Sequence, residues 1–210
     1  MQGSSISNCD VGSVTVKLSD EGTYHITVGC TDMGTGCDTI IAQFAADVLE
    51  TPIDNISVYG VDTDISPYDS GSYASSTTYL TGMAAVKACE QLRERIIALA
   101  AVRMNKDASA LTFDGENVID ESDGAKMSLF DIATASMCNN EISLEVTYSH
   151  SSPVSPPPFM AACAEIEADP ETGAIELLDY TACVDCGTVV NTNLARVQTE
   201  GGLLQGIGMT

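Results

Sequence analysis

The sequence predicts an α+β fold in which mixed β-sheets pack against helices. Short runs with alternating apolar residues indicate strands, and longer runs with apolar residues three and four positions apart indicate helices. Both kinds of run occur along the chain of 210 residues, of which 44% are hydrophobic. Clusters of glycine, serine and proline separate them. The chain is therefore long and apolar enough to bury a core of this class.

The first half of the chain predicts two large helices, each preceded by strands. Alternation predicts the strands and places His25 on an exposed face, whereas helical spacing predicts the helices and Pro52 ends the first of them. The expected elements are strands at 14–18 and 24–28, a helix at 38–50, a strand at 55–63 and a helix at 78–104.

The second half predicts two hairpins, two helices and one strand. Asp114 and Gly115 favour a hairpin turn, as does the run 169–173, and Ser128 is a suitable N-cap. The expected elements are a hairpin at 110–121, a helix at 128–137, a strand at 141–150, a hairpin at 159–187 and a helix from Asn193. We expect a single region over 1–210, with a change of lobe at the proline-rich segment 151–158.

The chain is strongly acidic, with 30 Asp and Glu against 8 Lys and Arg and a net charge of −22. We therefore expect neither nucleic acid nor an anionic membrane surface as a partner, because both repel an acidic protein. There is no run of 18 apolar residues and no secretory signal, so we expect neither a transmembrane helix nor a signal peptide. The cysteine pattern described next leads us to expect a cytoplasmic protein. Five basic residues lie between Lys87 and Lys106, where we expect a solvated helix face, with docking to another subunit as the alternative.

Eight cysteines allow two interpretations. A secreted disulfide framework is usual in short, loop-rich chains, whereas this chain is long and regular. Most of the cysteines fall on apolar strand or helix positions, which favours reduced, buried thiols. Cys183 and Cys186 form a lone pair, which is too few ligands for structural zinc or an iron–sulfur cluster. We therefore expect no metal held by protein ligands.

Three polar segments, which we call elbows, each precede or begin a predicted helix. The first elbow is 29–39, the second is 62–82 and the third is 185–206. A helix N-terminus offers unpaired N–H groups to an anion, and glycines let a ligand approach the backbone. Taken alone, the first elbow is equally a helix-capping turn and the second is equally a serine-rich surface loop.

The first elbow does not match the common phosphate motifs. It has no Lys for a P-loop, and Thr39 stands where a dinucleotide fingerprint requires Gly. If the three elbows converged at one side of a sheet, they would offer many neutral donors and little positive charge. Such a cage suits a bulky cofactor that carries phosphate and many heteroatoms.

Three segments, in order, resemble the molybdenum-cofactor-binding subunit of the xanthine dehydrogenase and aldehyde oxidase family. The segment 32–47 resembles that family's Gly-x-Gly loop and helix, and 62–89 resembles its Asp-Thr…Pro…Ala-Ser…Gly-x-Ala-Val loop and helix. The segment 164–208 resembles its Asp-Pro-x-Thr-Gly hairpin and its Gln-x-x-Gly-Gly-x-x-Gln-Gly-x-Gly helix. The resemblance spans nearly the whole chain, as a fragment from the C-terminal half of the subunit.

The resemblance implies a molybdopterin with molybdenum, plain or as the cytosine dinucleotide, held without covalent bonds to the protein. The matching cofactor-binding positions are Met33, Gly34, Thr35 and Gly36 in the first elbow, Ala74, Ser75, Ser76, Thr77 and Thr78 in the second, and Gln198 in the third. Thr35 replaces a usual glutamine, so one amide contact to the pterin differs. Thr192 replaces the usual proline after Asn191.

The resemblance also implies the reaction, which is hydroxylation of a purine, another N-heterocycle or an aldehyde with oxygen from water. The family's general base is a glutamate in a Gly-x-Gly-Glu stretch. No such stretch occurs here, so we expect the base beyond Thr210 and no catalytic residue within the chain. The chain alone is then expected to be inactive.

The implied partners are the N-terminal half of the same subunit, iron–sulfur and FAD subunits or domains, and a small-molecule substrate, in a homodimer of the full complex. The uncapped helical spacing of 201–210 also favours a piece of a longer polypeptide. The alternative is a non-catalytic structural or assembly module of the same fold, which binds no cofactor by itself.

Overall fold

The structure is a computed structural model that describes residues 5–137 and 143–210. It divides into a larger unit, Ser5–Ser155, and a smaller one, of which Pro156–Thr210 is described. The elements in chain order are β1 (Gly12–Leu18), β2 (Tyr24–Val28), α1 (Cys37–Leu49), β3 (Ile56–Gly60), α2 (Thr77–Met104), β4 (Leu111–Phe113), β5 (Asn117–Asp120), β6 (Lys126–Ser128), α3 (Leu129–Met137), β7 (Glu145–His150), β8 (Phe159–Ala168), β9 (Ile175–Asp185) and α4 (Thr192–Met209). The predicted α+β class is confirmed.

A four-stranded sheet with the order β3-β2-β1-β7 is the centre of the larger unit. β1 pairs antiparallel with β2 and β7, whereas β2 and β3 run parallel. The alternation places one face of each strand in the core and leaves His25 exposed, as expected. The core residues of β1 and β2 are Val14, Val16, Leu18, Tyr24, Ile26 and Val28.

The helices α1 and α2 pack against this sheet and against each other. α1 connects the parallel strands β2 and β3, and the 28-residue α2 lies along β1 and β7. Gly82 allows the close approach of the two helices, because a Cβ there would lie 2.6 Å from the Phe44 ring. The apolar stripes of both helices thereby enter one core with the sheet.

The parallel pairing of β2 and β3 decides where the first two elbows lie. The C-terminal ends of parallel strands meet at the same edge of a sheet. The chain leaves β2 into the first elbow and α1, and it leaves β3 into the second elbow and α2. The N-termini of both helices therefore lie at this edge of the sheet.

A second, three-stranded sheet with the order β4-β5-β6 leads into α3. The expected hairpin forms β4 and β5, while the third strand, β6, was not expected from the sequence. Ser128 caps α3 as predicted, because its hydroxyl accepts a bond from the Asp131 N–H at 3.1 Å. The start of the predicted strand at 141–150 falls at residues 141 and 142, outside the described residues, and β7 begins at Glu145.

The basic residues of α2 bind neighbouring elements rather than only facing solvent. Guanidinium groups donate to main-chain carbonyl oxygens of other segments, which a helix-surface interpretation does not anticipate. The contacts are Arg93 with Phe113 at 2.9 Å, Arg95 with Glu145 at 2.6 Å and Arg103 with Ala135 at 3.1 Å. These bonds attach α2 to β4, β7 and α3.

The smaller unit consists of the β8–β9 ribbon and α4. The ribbon is antiparallel, with a bulge at Glu165 and Ile166, and it turns at Asp169 as predicted. All buried side chains of the described residues lie in the larger unit. Within residues 5–137 and 143–210, no helix combines the length and apolar character that a bilayer crossing needs.

The expectation of buried thiols holds for only some of the cysteines. The cysteines of the smaller unit are exposed, and none of the other described side chains of that unit is buried either. Cys30, Cys37 and Cys89 are buried, whereas Cys9, Cys163, Cys183 and Cys186 are exposed. All seven are free thiols, and Cys138 lies outside the described residues.

Candidate functional site

The first elbow is folded around one carboxylate. Oδ1 of Asp32 accepts hydrogen bonds from the N–H groups of Gly34 at 2.9 Å and Gly36 at 3.1 Å. Both glycines have left-handed backbone angles, with φ of 99° and 78°, which few other residues adopt. Met33 and Thr35 lie exposed in this loop, and Met33 is 72% exposed. The four predicted positions 33–36 thus form one continuous, accessible loop.

Asp32 is a functional candidate that the sequence reasoning missed. Its carboxylate accepts hydrogen bonds from backbone N–H groups that would otherwise face solvent. Burial acts to raise the pKa of Asp32, but these hydrogen bonds outweigh it and lower the pKa. The signal was available, since Asp and Asn commonly bond the backbone two residues further on in tight turns. Asp32 therefore shapes the loop that carries the predicted contacts.

The helix α1 begins directly after this loop without a side-chain cap. Its N-cap is Gly36, which has no side chain to bond the first turn. The Asp32 carboxylate lies just before this helix and accepts from the Gly36 N–H, so one negative charge already lies near the positive end of the helix dipole. The donors left for water or a ligand are other N–H groups of the first turn.

The second elbow contains an unusual backbone. Ala74 and Ser75, which are not glycines, both adopt left-handed angles, with φ of 53° and 56°. They form a short 3₁₀ turn with Tyr73, just before α2. Such conformations cost about 1–3 kcal/mol each and cluster at functional sites. Two of the five predicted positions in this elbow therefore store backbone strain.

The other three predicted positions of the second elbow begin α2. Ser76 is the N-cap residue, but its side chain makes no cap bond, and Thr77 and Thr78 form the first helical turn. Ser76 is buried, whereas Thr78 is exposed. Like α1, this helix therefore presents backbone donors and hydroxyl groups at the same edge of the sheet.

Two carboxylates that the sequence reasoning missed anchor the second elbow. The Ser70 hydroxyl donates to the buried Asp10 at 2.7 Å, and Thr81 donates to Asp69 at 3.2 Å. Burial raises the pKa of Asp69, and the neighbouring Asp10 adds to this shift. The bond between Ser70 and Asp10 joins residues sixty apart, so no local sequence signal could reveal it, whereas the bond between Thr81 and Asp69 lies within the second elbow.

The first and second elbows touch each other. A Cβ on Gly29 would lie only 2.5 Å from the Cβ of Asp69 and 2.5 Å from the carbonyl oxygen of Pro67. The absence of a side chain at Gly29 therefore lets the two loops meet. The expected convergence holds for these two elbows.

The third elbow lies in the smaller unit and has a different helix start. The Asn191 side chain caps α4 by accepting from the Leu194 N–H at 3.0 Å. Gln198 is exposed on α4. The convergence of this elbow with the other two remains a prediction.

The donor set of the first two elbows fits a large neutral or anionic cofactor. Their segments contain no Lys and no Arg, and they offer backbone N–H groups, the hydroxyls of Ser75 and Thr78, and two uncapped helix N-termini. Helix N-termini suit phosphate groups, and neutral donors suit the heteroatoms of a pterin. The site therefore has the chemistry of a cage for a phosphate-bearing heterocycle.

A family model described as a molybdopterin cofactor-binding domain matches residues 1–210. The chain belongs to this family. The model covers both elbows that meet at the sheet edge and the third elbow on α4. The family resemblance that the sequence motifs indicated is thereby confirmed.

Curated relatives include molybdenum-related oxidoreductases. The chain is 36% identical over 209 residues to the probable hypoxanthine oxidase of Escherichia coli strain K12. The matched region covers 99% of this chain and 22% of that protein. It is 30% identical over 207 residues to the nicotine 6-hydroxylase large subunit of Paenarthrobacter nicotinovorans, covering 94% and 25%. The chain therefore spans about a quarter of the length of these relatives.

Solved structures have the same fold. The CO dehydrogenase of Oligotropha carboxidovorans superposes with a TM-score of 0.81 at 26% identity, over 96% of this chain and 27% of that chain. The quinoline 2-oxidoreductase of Pseudomonas putida 86 gives 0.82 at 26% identity, over 96% and 26%. The fold is thus that of one segment of such enzymes.

Proposed function

We propose that this chain forms part of the cage that holds molybdopterin in a molybdenum hydroxylase acting on a purine, another N-heterocycle or an aldehyde. The observation that carries the proposal is the contact between the first two elbows at Gly29 and Asp69, each elbow leading into a helix, in a chain of the molybdopterin-binding family. The names of the relatives, among them a hypoxanthine oxidase and a nicotine hydroxylase, support this substrate range.

Each predicted contact residue has a distinct part in the proposed cage. The backbone of Met33–Gly36 would face the pterin and its phosphate, with Thr35 offering a hydroxyl where relatives of this type use an amide. The strained turn at 74–75 and the hydroxyls at 76–78 would line the end nearest the metal. Gln198 would contribute its amide from α4.

When bound, the cofactor supplies the redox centre at which a substrate carbon is hydroxylated with oxygen from water. The residues of this chain hold and orient it. Asp32 and Asp69 keep the two loops in shape, and the helix N-termini offset negative charge on the phosphate. The acid–base group that moves the proton is proposed to be a glutamate outside this chain.

The family resemblance also suggests the parts of the proposed enzyme that lie outside this chain. The rest of the same subunit completes the cage, and iron–sulfur and FAD partners carry electrons away in a cytoplasmic homodimeric complex. The cofactor is plain molybdopterin or its cytosine dinucleotide. The chain by itself is then inactive, because half of the cage and the base are absent.

Isotope labelling of the full-length protein tests the reaction. The purified protein is incubated in ¹⁸O-water with hypoxanthine, a pyridine heterocycle or an aromatic aldehyde and an artificial electron acceptor. Incorporation of ¹⁸O into the product of at least one substrate is expected. No hydroxylated product from any of the three classes, or oxygen derived only from O₂, would contradict the proposed activity and favour a non-catalytic module.

A further inference from the structure

One face of the β8–β9 ribbon is apolar along its whole length. Residues directly opposite each other in an antiparallel pair point to the same face, and residues two apart along a strand share that face. The pairing of Met160 with Val184, and of Ile166 with Leu177 beyond the bulge, therefore assigns ten residues to one face, which we call face A. Face A consists of Met160, Ala162, Ala164, Ile166, Ala168, Ile175, Leu177, Tyr180, Ala182 and Val184.

The opposite face of the ribbon, which we call face B, is acidic. Its five carboxylates are Glu165, Glu167, Glu176, Asp179 and Asp185, and its other residues are Phe159, Ala161, Cys163, Thr181 and Cys183. Antiparallel sheets commonly pack one face on a core and expose the other to water, with apolar residues on the first and polar residues on the second. The ribbon therefore has the pattern of a sheet that is covered on one side.

No such cover lies on face A within residues 5–137 and 143–210. The exposed fractions of its large aliphatic side chains and Met160 run from 36% at Val184 to 68% at Ile175. A contiguous apolar surface of this kind marks a site of interaction, whereas single exposed apolar residues do not. Face A is therefore a docking surface that lacks its partner in this structure.

The composition of face A indicates a permanent partner. Transient interfaces are about as apolar as the rest of a protein surface, whereas permanent ones resemble a core cut in half. Face A contains no charged residue, and the Tyr180 hydroxyl is its one polar side-chain group. It fits an apolar helix or sheet face that stays in place once the protein has folded.

The lengths of the relatives indicate where this partner lies. The chain covers 22% of the probable hypoxanthine oxidase and 27% of the CO dehydrogenase chain, so most of each polypeptide lies outside the matched region. A second copy of the chain fits less well, because a net charge of −22 on each copy opposes their close approach.

We propose that face A docks against an apolar layer of the same subunit, formed by residues outside 1–210, while face B stays toward solvent. The third elbow begins at Asp185, the last residue of β9, so docking of the ribbon also holds the start of this elbow. A two-stranded ribbon is marginal by itself, and the added layer supplies the core that it lacks.

Thiol labelling at two neighbouring positions tests the docking in the purified full-length protein. Ala162→Cys places a thiol on face A, and Ala161→Cys places the same thiol on face B. Each protein is labelled with iodoacetamide under native conditions, unfolded, labelled with a heavy form of the reagent and cut after glutamate. The peptide 146–165 then contains the new cysteine together with Cys163 of face B, which is the internal reference.

We expect the thiol at position 162 to react at least about tenfold more slowly than the thiol at 161 or Cys163, because its labelling requires the docked layer to open. In the chain 1–210 by itself, positions 161 and 162 should react at similar rates. Ala182→Cys, the partner of Ala162 across the ribbon, repeats the test with the native Cys183 as its reference.

Three results would overturn the proposal. Equal rates at positions 161 and 162 in the full-length protein, whether fast or slow, would show that the two faces do not differ in cover. Equally strong protection of position 162 in the chain 1–210 alone would place the cover within these residues. Protection that disappears on dilution to monomers would assign the cover to a second copy.

The docking rests on the part of the proposed function that makes this chain a segment of a larger subunit, and not on the cofactor. A full-length protein that shows the labelling contrast but contains neither molybdenum nor pterin would refute only the proposed function. A protein that is loaded with both but labels equally at 161 and 162 would refute only the docking.

Discussion

At the scale of single residues, two glycines let the elbows approach the core. Gly12 faces the first turn of α2, where a Cβ would fall against Thr81, and Gly29 faces Asp69 and Pro67 of the second elbow. Neither position requires a left-handed backbone. Their need for glycine comes from contacts with segments far away in the chain, so it is a property of the fold and not of a local turn.

Gly29→Ala should separate the two elbows. The new methyl group would lie 2.5 Å from Pro67 and Asp69, so the loops must shift. Overpacking of this kind costs about 1–3 kcal/mol in the free energy of unfolding, measured by urea denaturation. Gly206→Ala is the control, because nothing lies within 4 Å of a Cβ there. Equal stability of Gly29→Ala and wild type would show that the elbows do not touch as described.

The free energy of unfolding at acid pH should depend on Asp120. A hydrogen bond from Lys106, at 2.8 Å, and bonds from Ser122 hold the pKa of Asp120 at about 2. Since this pKa lies below the unfolded value, the stabilisation is complete above about pH 4 and is lost as pH falls toward 2. Asp120→Asn should therefore flatten the dependence of unfolding free energy on pH between these values.

The control for Asp120 is an exposed carboxylate in a turn. Asp20→Asn, between β1 and β2, should leave the acid limb as in wild type. If Asp120→Asn and Asp20→Asn change the pH dependence equally, the pairing of Asp120 with Lys106 does not contribute to stability.

At the scale of secondary-structure elements, the four α-helices of residues 5–137 and 143–210 begin in two different ways. α3 and α4 begin with side-chain caps from Ser128 and Asn191, whereas α1 and α2 begin without one at Gly36 and Ser76. Uncapped starts cost stability in the free protein, because backbone N–H groups are left for solvent. The uncapped pair is the one whose loops carry nine of the ten predicted cofactor contacts.

Ser128→Ala should lower the free energy of unfolding by about 1 kcal/mol, since it removes a cap. The Ser128 hydroxyl both accepts from the Asp131 N–H and donates to the Asp131 carboxylate at 2.6 Å. Ser75→Ala, at the exposed turn before α2, is the matched variant and should be nearly neutral in the cofactor-free protein. A loss at Ser75 as large as at Ser128 would contradict the division between capped and open helix starts.

Ala74→Gly should relieve the strain of the second elbow. A left-handed residue with a Cβ costs about 1–2 kcal/mol, so glycine should raise the unfolding free energy of the cofactor-free protein by about 1 kcal/mol. Ala85→Gly, in the interior of α2, is the control and should destabilise. Destabilisation by Ala74→Gly would show that this turn is not strained.

The sequence alone predicted most of the helices and strands, but it did not predict the contacts between them. Periodicity predicted α1, α2 and the β1–β2 pair, and motif order located the elbows. The roles of Asp10, Asp32 and Asp69 were not predicted; that of Asp10 depends on a bond from Ser70, sixty residues away, which no local pattern reveals. The exposure of the cysteines on the smaller unit was also not predicted, since apolar spacing shows which face can be buried and not whether anything covers it.

At the scale of the whole molecule, stability is concentrated in the larger unit. All buried side chains of the described residues, from Ser5 to Ser152, belong to it. A two-stranded ribbon with one helix is marginal by itself. The two units are thus expected to differ in their ability to fold alone.

Cleavage within 151–158 should release a folded larger unit. A protein that ends at Ser155 should unfold cooperatively in urea, with a midpoint close to that of the whole chain, because its core is complete. The separate segment 156–210 should give a far-UV spectrum typical of an unfolded peptide. Loss of cooperative unfolding in 5–155 would show that the core extends beyond this unit.

Whether these elbows hold the cofactor is decided by the molybdenum and pterin content of the full-length protein, purified from a host that makes the cofactor. Elemental analysis and the fluorophore released from the pterin should both approach one equivalent per subunit. Gly29→Ala should lower both together, while Asp20→Asn, in the exposed turn between β1 and β2, should lower neither. Absence of both molybdenum and pterin from the folded full-length protein would contradict the claim that these elbows hold the cofactor.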